Sequence, residues 1–100
     1  MFIAIVDFRT APTDREAALA VLEGETPAVR AMSGNRTFRP HVDPTDPALL
    51  GVLHEWDREE NFAAYIASPS FVRSGQRLRP MMTDAPSSRR YRAELAEEVH

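Results

Sequence analysis

Apolar residues recur along this chain with two periods, and the switches between them lay out the fold. Phe2 to Arg9 alternates Phe2, Ala4, Val6, Phe8 with Ile3, Ile5, Asp7, Arg9. Both sets are largely apolar, so this strand should be covered on both faces; Asp7 interrupts one of them. Next, Leu19, Leu22, Thr26 and Val29 follow one helical stripe. Thr13 to Glu16 reads as its capping box, with Thr13 the N-cap. Gly24 and Pro27 disturb the stripe, which predicts a kinked helix or two short ones to about Met32, ended by Ser33-Gly34. Asn35 to Val42 is a second strand that Pro40 confines to an edge or a bulge. The turn-rich Asp43 to Pro47 is short enough to make a hairpin with a third strand, Ala48 to Trp56. That strand carries Leu50, Val52, His54 and Trp56 on one face and Leu49, Gly51, Leu53 and Glu55 on the other, the pattern of a central strand. A second capping box, Asp57 to Glu60, opens a helix with Phe62, Tyr65 and Ile66 on one side. Ser68-Pro69 stops it and starts another, whose apolar side is Phe71, Val72, Gly75 and Leu78 and which Pro80 closes. Asp84 to Ser88 is a loop. Arg89 to Leu95 alternates as a half-exposed fourth strand.

The order β-α-β-β-α-β predicts an α+β, ferredoxin-like domain spanning residues 1–100, an antiparallel sheet with its helices on one face. The first and third strands are apolar on the other face too, and a second copy of the same sheet would bury it. The expectation is a homodimer packed sheet to sheet, a dimeric α+β barrel. Between sheet and helix, His54 and Trp56 at the end of the third strand meet Phe62, Tyr65 and Ile66, which predicts a small aromatic-lined pocket.

Composition narrows the chemistry. The hydrophobic share of 43% is that of a folded protein. No apolar run is long enough to span a membrane, and residues 1–8 read as a strand, not a signal peptide. No cysteine is present, which removes disulfides, thiolate metal sites and a Cys nucleophile and fits a cytoplasmic protein. All 12 basic residues are Arg, so no Lys can form a Schiff base. A net charge of -3 gives no reason to expect nucleic acid. The three His lack metal-site spacing, and neither a nucleophile elbow nor a Gly-rich phosphate loop occurs.

The chain resembles the antibiotic biosynthesis monooxygenase family, dimeric α+β barrels that also include haem-degrading monooxygenases. The resemblance runs over nearly the whole length. It is carried by the apolar first strand, the late Pro27 before Ser33-Gly34-Asn35, and Arg79-Pro80. Its most specific part is His54-Glu55-Trp56-Asp57 leading into Phe62 to Phe71. It implies oxidation of a small aromatic or polyketide-like phenol to a quinone with O₂ and without metal, flavin or haem. The protein's part is to bind the substrate, remove a proton and exclude water. The resemblance implies that Trp56 lines the pocket. It also shows departures. Asp7 stands where active members carry Asn. His54 stands where many carry an acid, and Tyr65 where many carry a His, the position that ligates iron in the haem-degrading branch.

Each candidate has a sharp and a plain reading. Trp56 lines substrate or is the largest core residue. His54, with an ordinary pKa of about 6.5, is the general base or a His bonded to a backbone carbonyl. Asp7 works in the pocket or pairs with Arg9, Arg77 or Arg79, since a buried carboxylate needs a partner. Phe62, Tyr65 and Phe71 would touch the substrate, and Arg77 could hold an anionic one at the mouth. Two alternatives stand beside the monooxygenase: a non-catalytic ligand-binding or stress-associated member of the same fold, and an isomerase or cyclase of the dimeric-barrel type.

Overall fold

Four strands and three helices follow one another as β1 (Phe2–Arg9), α1 (Arg15–Arg30), β2 (Asn35–Val42), β3 (Leu49–Trp56), α2 (Glu59–Ile66), α3 (Pro69–Leu78) and β4 (Ser87–Arg92). The computed structural model describes all residues, 1–100. The strands form one antiparallel sheet in the order β2-β3-β1-β4, the ferredoxin-like topology. The two strands apolar on both faces, β1 and β3, are its centre. Pro40 sits in β2, an edge strand, where a missing N–H costs no ladder bond on the open side.

Register decides which face each side chain meets. Phe2 pairs with Trp56, Ala4 with His54, Val6 with Val52 and Phe8 with Leu50. These residues face the helices and, apart from half-buried Val6, are buried. They belong to two clusters. One gathers Phe2, Ala4, Val29, Phe38, Val52, Trp56, Phe62 and Tyr65; the other gathers Phe8, Ala18, Leu22, Leu50 and Leu78. Val6 packs against both and marks the seam between them. On the opposite face Ile3, Ile5, Leu49 and Leu53 are only half-buried, because no helix covers them. Tyr91 of β4 joins them, 47% exposed.

Several local expectations are corrected. α1 is one continuous helix through Gly24 and Pro27, which removes the alternative of two short helices. Packing of its apolar side against β2 and α3 outweighs one lost helical hydrogen bond. Thr13 does not cap it: Pro12–Asp14 forms a single 3₁₀ turn, and Asp14 holds the N-cap position. α2 starts one residue later than its acidic box suggested, with Arg58 at the N-cap and its N–H donated to Asn61 Oδ1 at 3.1 Å. Ser68 caps α3 as expected, accepting from Phe71 N at 3.2 Å with Pro69 in the first turn. β4 begins at Ser87, inside the stretch read as a loop, and ends at Arg92. No helix is long and apolar enough to cross a membrane.

Two glycines are fixed by geometry. Gly34 has φ +78°, and the Asn61 side chain lies where a Cβ would be, 2.3 Å away. Gly51 stands across from Asp7, and a Cβ there would come within 2.0 Å of the Val6 carbonyl oxygen in the neighbouring strand. Replacing Gly51 by Ala must push β1 from β3. Overpacking of this kind costs about 1–3 kcal/mol. Urea denaturation of Gly51→Ala should show that loss, and an unchanged midpoint would refute the close approach.

Candidate functional site

The seam between the two core clusters holds a cavity of about 210 Å³. Its floor is the helix-facing side of β1 and β3, with Val6, Phe8, Val52 and His54; its walls are Phe62, Tyr65 and Ile66 from α2 and Phe71, Ser74 and Leu78 from α3. Met82 and Pro86 form the rim. Ser88 and Arg90 of β4 reach it because they share the face of Val6 and Ala4, their ladder partners.

His54 is the hub. Its ring lies 5.6 Å, centroid to centroid, from each of Phe38, Phe62 and Tyr65, and 6.1 Å from Trp56. Residues 54 and 56 share a strand face, and that places the Trp56 indole N–H against His54 Nδ1 at 2.8 Å. The bond is buried, with the two residues 2% and 0% exposed. Trp56 also stacks on Tyr65 at 5.4 Å, and Tyr65 meets Phe71 edge-on at 5.3 Å. Burial, and secondarily the positive charge of Arg90, lowers the His54 pKa to about 4. Burial, with a smaller contribution from the Glu25 carboxylate, pushes the Tyr65 phenol up to about 12. At neutral pH both rings are uncharged.

The sequence candidates divide. His54, Phe62, Tyr65 and Phe71 line one cavity, as expected. Trp56 does not: it is sealed beneath the cavity and touches it only through His54 and Tyr65. Asp7 pairs with Gly51, and so stands on the uncovered face, across the sheet from His54. The two do not share a cavity. Its ionic partner is Arg89, at 3.5 Å, and none of the three Arg expected; Arg9 pairs with Asp46 at 2.9 Å. Arg77 is exposed in the last turn of α3, where a cation favours the helix dipole, and it is absent from the cavity wall.

The cation at the cavity is Arg90, which sequence reasoning missed. Its guanidinium carbon lies 4.8 Å from the Phe62 ring centroid, and its Nε donates to Ser88 Oγ at 3.2 Å. The signal was present in the alternation of Ser88, Arg90 and Arg92, but only pairing with β1 tells which face they share. The Glu25 carboxylate accepts a short bond from Ser70 Oγ and ties α1 to α3 behind Tyr65.

Fold and cavity together define a ferredoxin-like α+β protein with an aromatic cavity between sheet and helices. The model of the antibiotic biosynthesis monooxygenase family matches residues 1–76, and the chain belongs to that family. Solved structures agree in fold. A protein from Deinococcus radiodurans bearing the antibiotic biosynthesis monooxygenase name is 18% identical, with a TM-score of 0.90 over 100% of this chain and 99% of its own. One of the same name from Nitrosomonas europaea is 15% identical, with a TM-score of 0.87 over 93% and 98%. A conserved protein from Methanosarcina mazei is 17% identical, with a TM-score of 0.86 over 94% of each chain. A search of curated proteins gives no match.

The buried imidazole makes stability depend on pH with a definite sign. Unfolded, His54 titrates near 6.5; folded, at about 4. As pH falls through that window the unfolded chain takes up a proton that the native ring refuses. Stability from this residue is therefore complete above pH 6.5 and lost by pH 4, on the order of 3 kcal/mol in all. Urea titrations between pH 7 and 4 should show the decline, and His54→Gln should flatten it. An NMR midpoint for His54 near 6.5 would refute the buried neutral state.

Proposed function

We propose that the chain is a cofactor-independent monooxygenase that oxidises a small aromatic phenol to a quinone with O₂ in the His54 cavity. The cavity itself carries this reading: an apolar, aromatic-walled space with a few polar groups in its lining, in a member of a family named for monooxygenases. Its volume, about 210 Å³, is below the roughly 300–1,000 Å³ usual for drug-sized ligands and suits one or two rings. For a naphthol, one oxygen atom of O₂ enters the ring para to the hydroxyl. The other leaves as water with the two hydrogens removed, and the substrate supplies the electrons. Phe62, Tyr65 and Phe71 hold the ring, while Arg90 and His54 lie at its polar end. The apolar wall excludes water from the reactive intermediate.

One observation favours a second reading. No carboxylate lines the cavity, so deprotonation has no side-chain carboxylate to accept the proton. A ligand-binding member without catalysis would have the same wall. An isomerase or cyclase, which needs a base at the substrate, is less well served.

The half-exposed Ile3, Ile5, Leu49 and Leu53 support a homodimer packed through the uncovered sheet face, in the cytoplasm as the cysteine-free composition suggests. Sedimentation at micromolar concentration should give a dimer, and Leu53→Glu a monomer. A wild-type monomer ends the assembly proposal.

Oxygen uptake by metal-free protein should match quinone absorbance on naphthol-like phenols. Gly75→Leu adds a side chain at the cavity wall, where a Cβ meets nothing nearer than 4.0 Å. It should lower kcat/KM by about tenfold or more with the fold retained by circular dichroism. No uptake on any of the phenols moves the reading to ligand binding; unchanged kinetics in the variant removes the reaction from this cavity.

A further inference from the structure

The buried hydrogen bond between Trp56 and His54 determines where the imidazole proton lies. An indole N–H can only donate. His54 Nδ1, 2.8 Å from it, must accept, and so carries a lone pair. The neutral ring then bears its proton on Nε2. That atom has no hydrogen-bond partner within the chain, and no fully sealed side-chain nitrogen or oxygen lacks one, so Nε2 reaches the cavity space. His54 thus offers the cavity a donor, and its only basic nitrogen is already engaged.

The other polar groups point the same way. Tyr65 keeps its phenolic proton and has no partner in the chain. Arg90 is held at Nε by Ser88, which leaves its two NH₂ groups free, over the Phe62 ring that also faces His54. Asp7 is across the sheet. The polar lining therefore offers the His54 and Arg90 donors and one positive charge, beside the hydroxyls of Tyr65, Ser74 and Ser88, and includes no carboxylate.

We propose that this cavity takes its ligand as an anion, a one- or two-ring aromatic bearing an ionised oxygen, and that Trp56 is the positioning residue that fixes His54 as a neutral Nε2–H donor toward that oxygen. The proposal rests on the phenol-binding reading above and sharpens it. The substrate enters already as its phenolate or enolate, its proton left in solvent, and His54 removes nothing. Arg90 supplies the charge and His54 the direction, an ionised and a neutral donor whose hydrogen bonds to the same anionic oxygen are both charge-assisted.

The test uses the full chain and 4-nitrophenol, whose absorbance distinguishes phenolate from phenol, beside its methyl ether, which cannot ionise. At a pH about one unit below the probe's own pKa, the bound probe should show the phenolate band and bind about tenfold or more tighter than the ether. Arg90→Gln, at an exposed position, should lose most of that preference. Nitrogen NMR of wild-type His54 should show Nδ1 unprotonated and Nε2 protonated. Trp56→Phe, where it folds, should give mixed tautomers and weaken phenolate binding several-fold while leaving the ether unchanged. Binding as neutral phenol, equal binding of the ether, no binding of either probe at millimolar concentration, or a proton on Nδ1 would each overturn the proposal. Phenolate binding without oxygen uptake on any substrate supports it and removes only the oxidative step.

Discussion

The arrangement around the cavity depends on one hydrogen bond, from the Trp56 indole to His54 Nδ1. Two polar atoms sit inside an otherwise apolar wall of Phe2, Phe38, Phe62 and Tyr65. Neither could be there alone: an unpaired buried donor or acceptor costs about 1–3 kcal/mol. Paired, they let an indole, an imidazole and a phenol pack as flat rings at 5.4–6.1 Å. The bond also couples protein stability to the state of the site. Protonating His54 would put a charge into this wall and break the only polar contact within it. The resistance of the ring to protonation and the fixed direction of its remaining N–H follow from the same burial.

Strand register is the second constraint, and it separates what the sequence could show from what it could not. Alternation in β1 and β3, the hairpin between β2 and β3, Pro40 at an edge and Ser68 as a cap were legible because each is a local or period-two signal. The aromatic wall of His54, Phe62, Tyr65 and Phe71 was legible because β3 runs directly into α2 and α3. The side of the sheet on which Asp7 lies was not. It follows from the pairing of Phe2 with Trp56, and a slip of one residue would have exchanged the faces. Arg90 was hidden for the same reason, since β4 is an edge strand exposed along its whole length and its facing is set by Val6 and Ala4 across the ladder.

Two local signals misled because tertiary packing overrode them. Gly24 and Pro27 allow a split into two short helices, yet α1 stays one helix, held along its length by Ala18, Leu22 and Val29, all buried. The large ring of Trp56 at a strand end looks like a ligand surface. It is fully buried at the end of a central strand, packed against Tyr65 and bonded to His54, and so it stays out of the cavity wall and acts through those neighbours.

The departure at His54 has a physical meaning beyond substitution. The resemblance implies an acid in many members two residues before the Trp. A carboxylate there would also satisfy the indole N–H, so the supporting bond survives either choice. What changes is the atom left over: a carboxylate presents another acceptor and a negative charge, whereas the imidazole presents Nε2–H and none. With Arg90 among the lining residues too, the cavity wall of this chain holds a cation and no carboxylate. Solved structures 15–18% identical to this chain match it over nearly all its length, because the fold needs only apolar residues in the right alternation. The polar residues of a cavity can vary independently of that alternation, so a shared fold does not fix what the cavity binds.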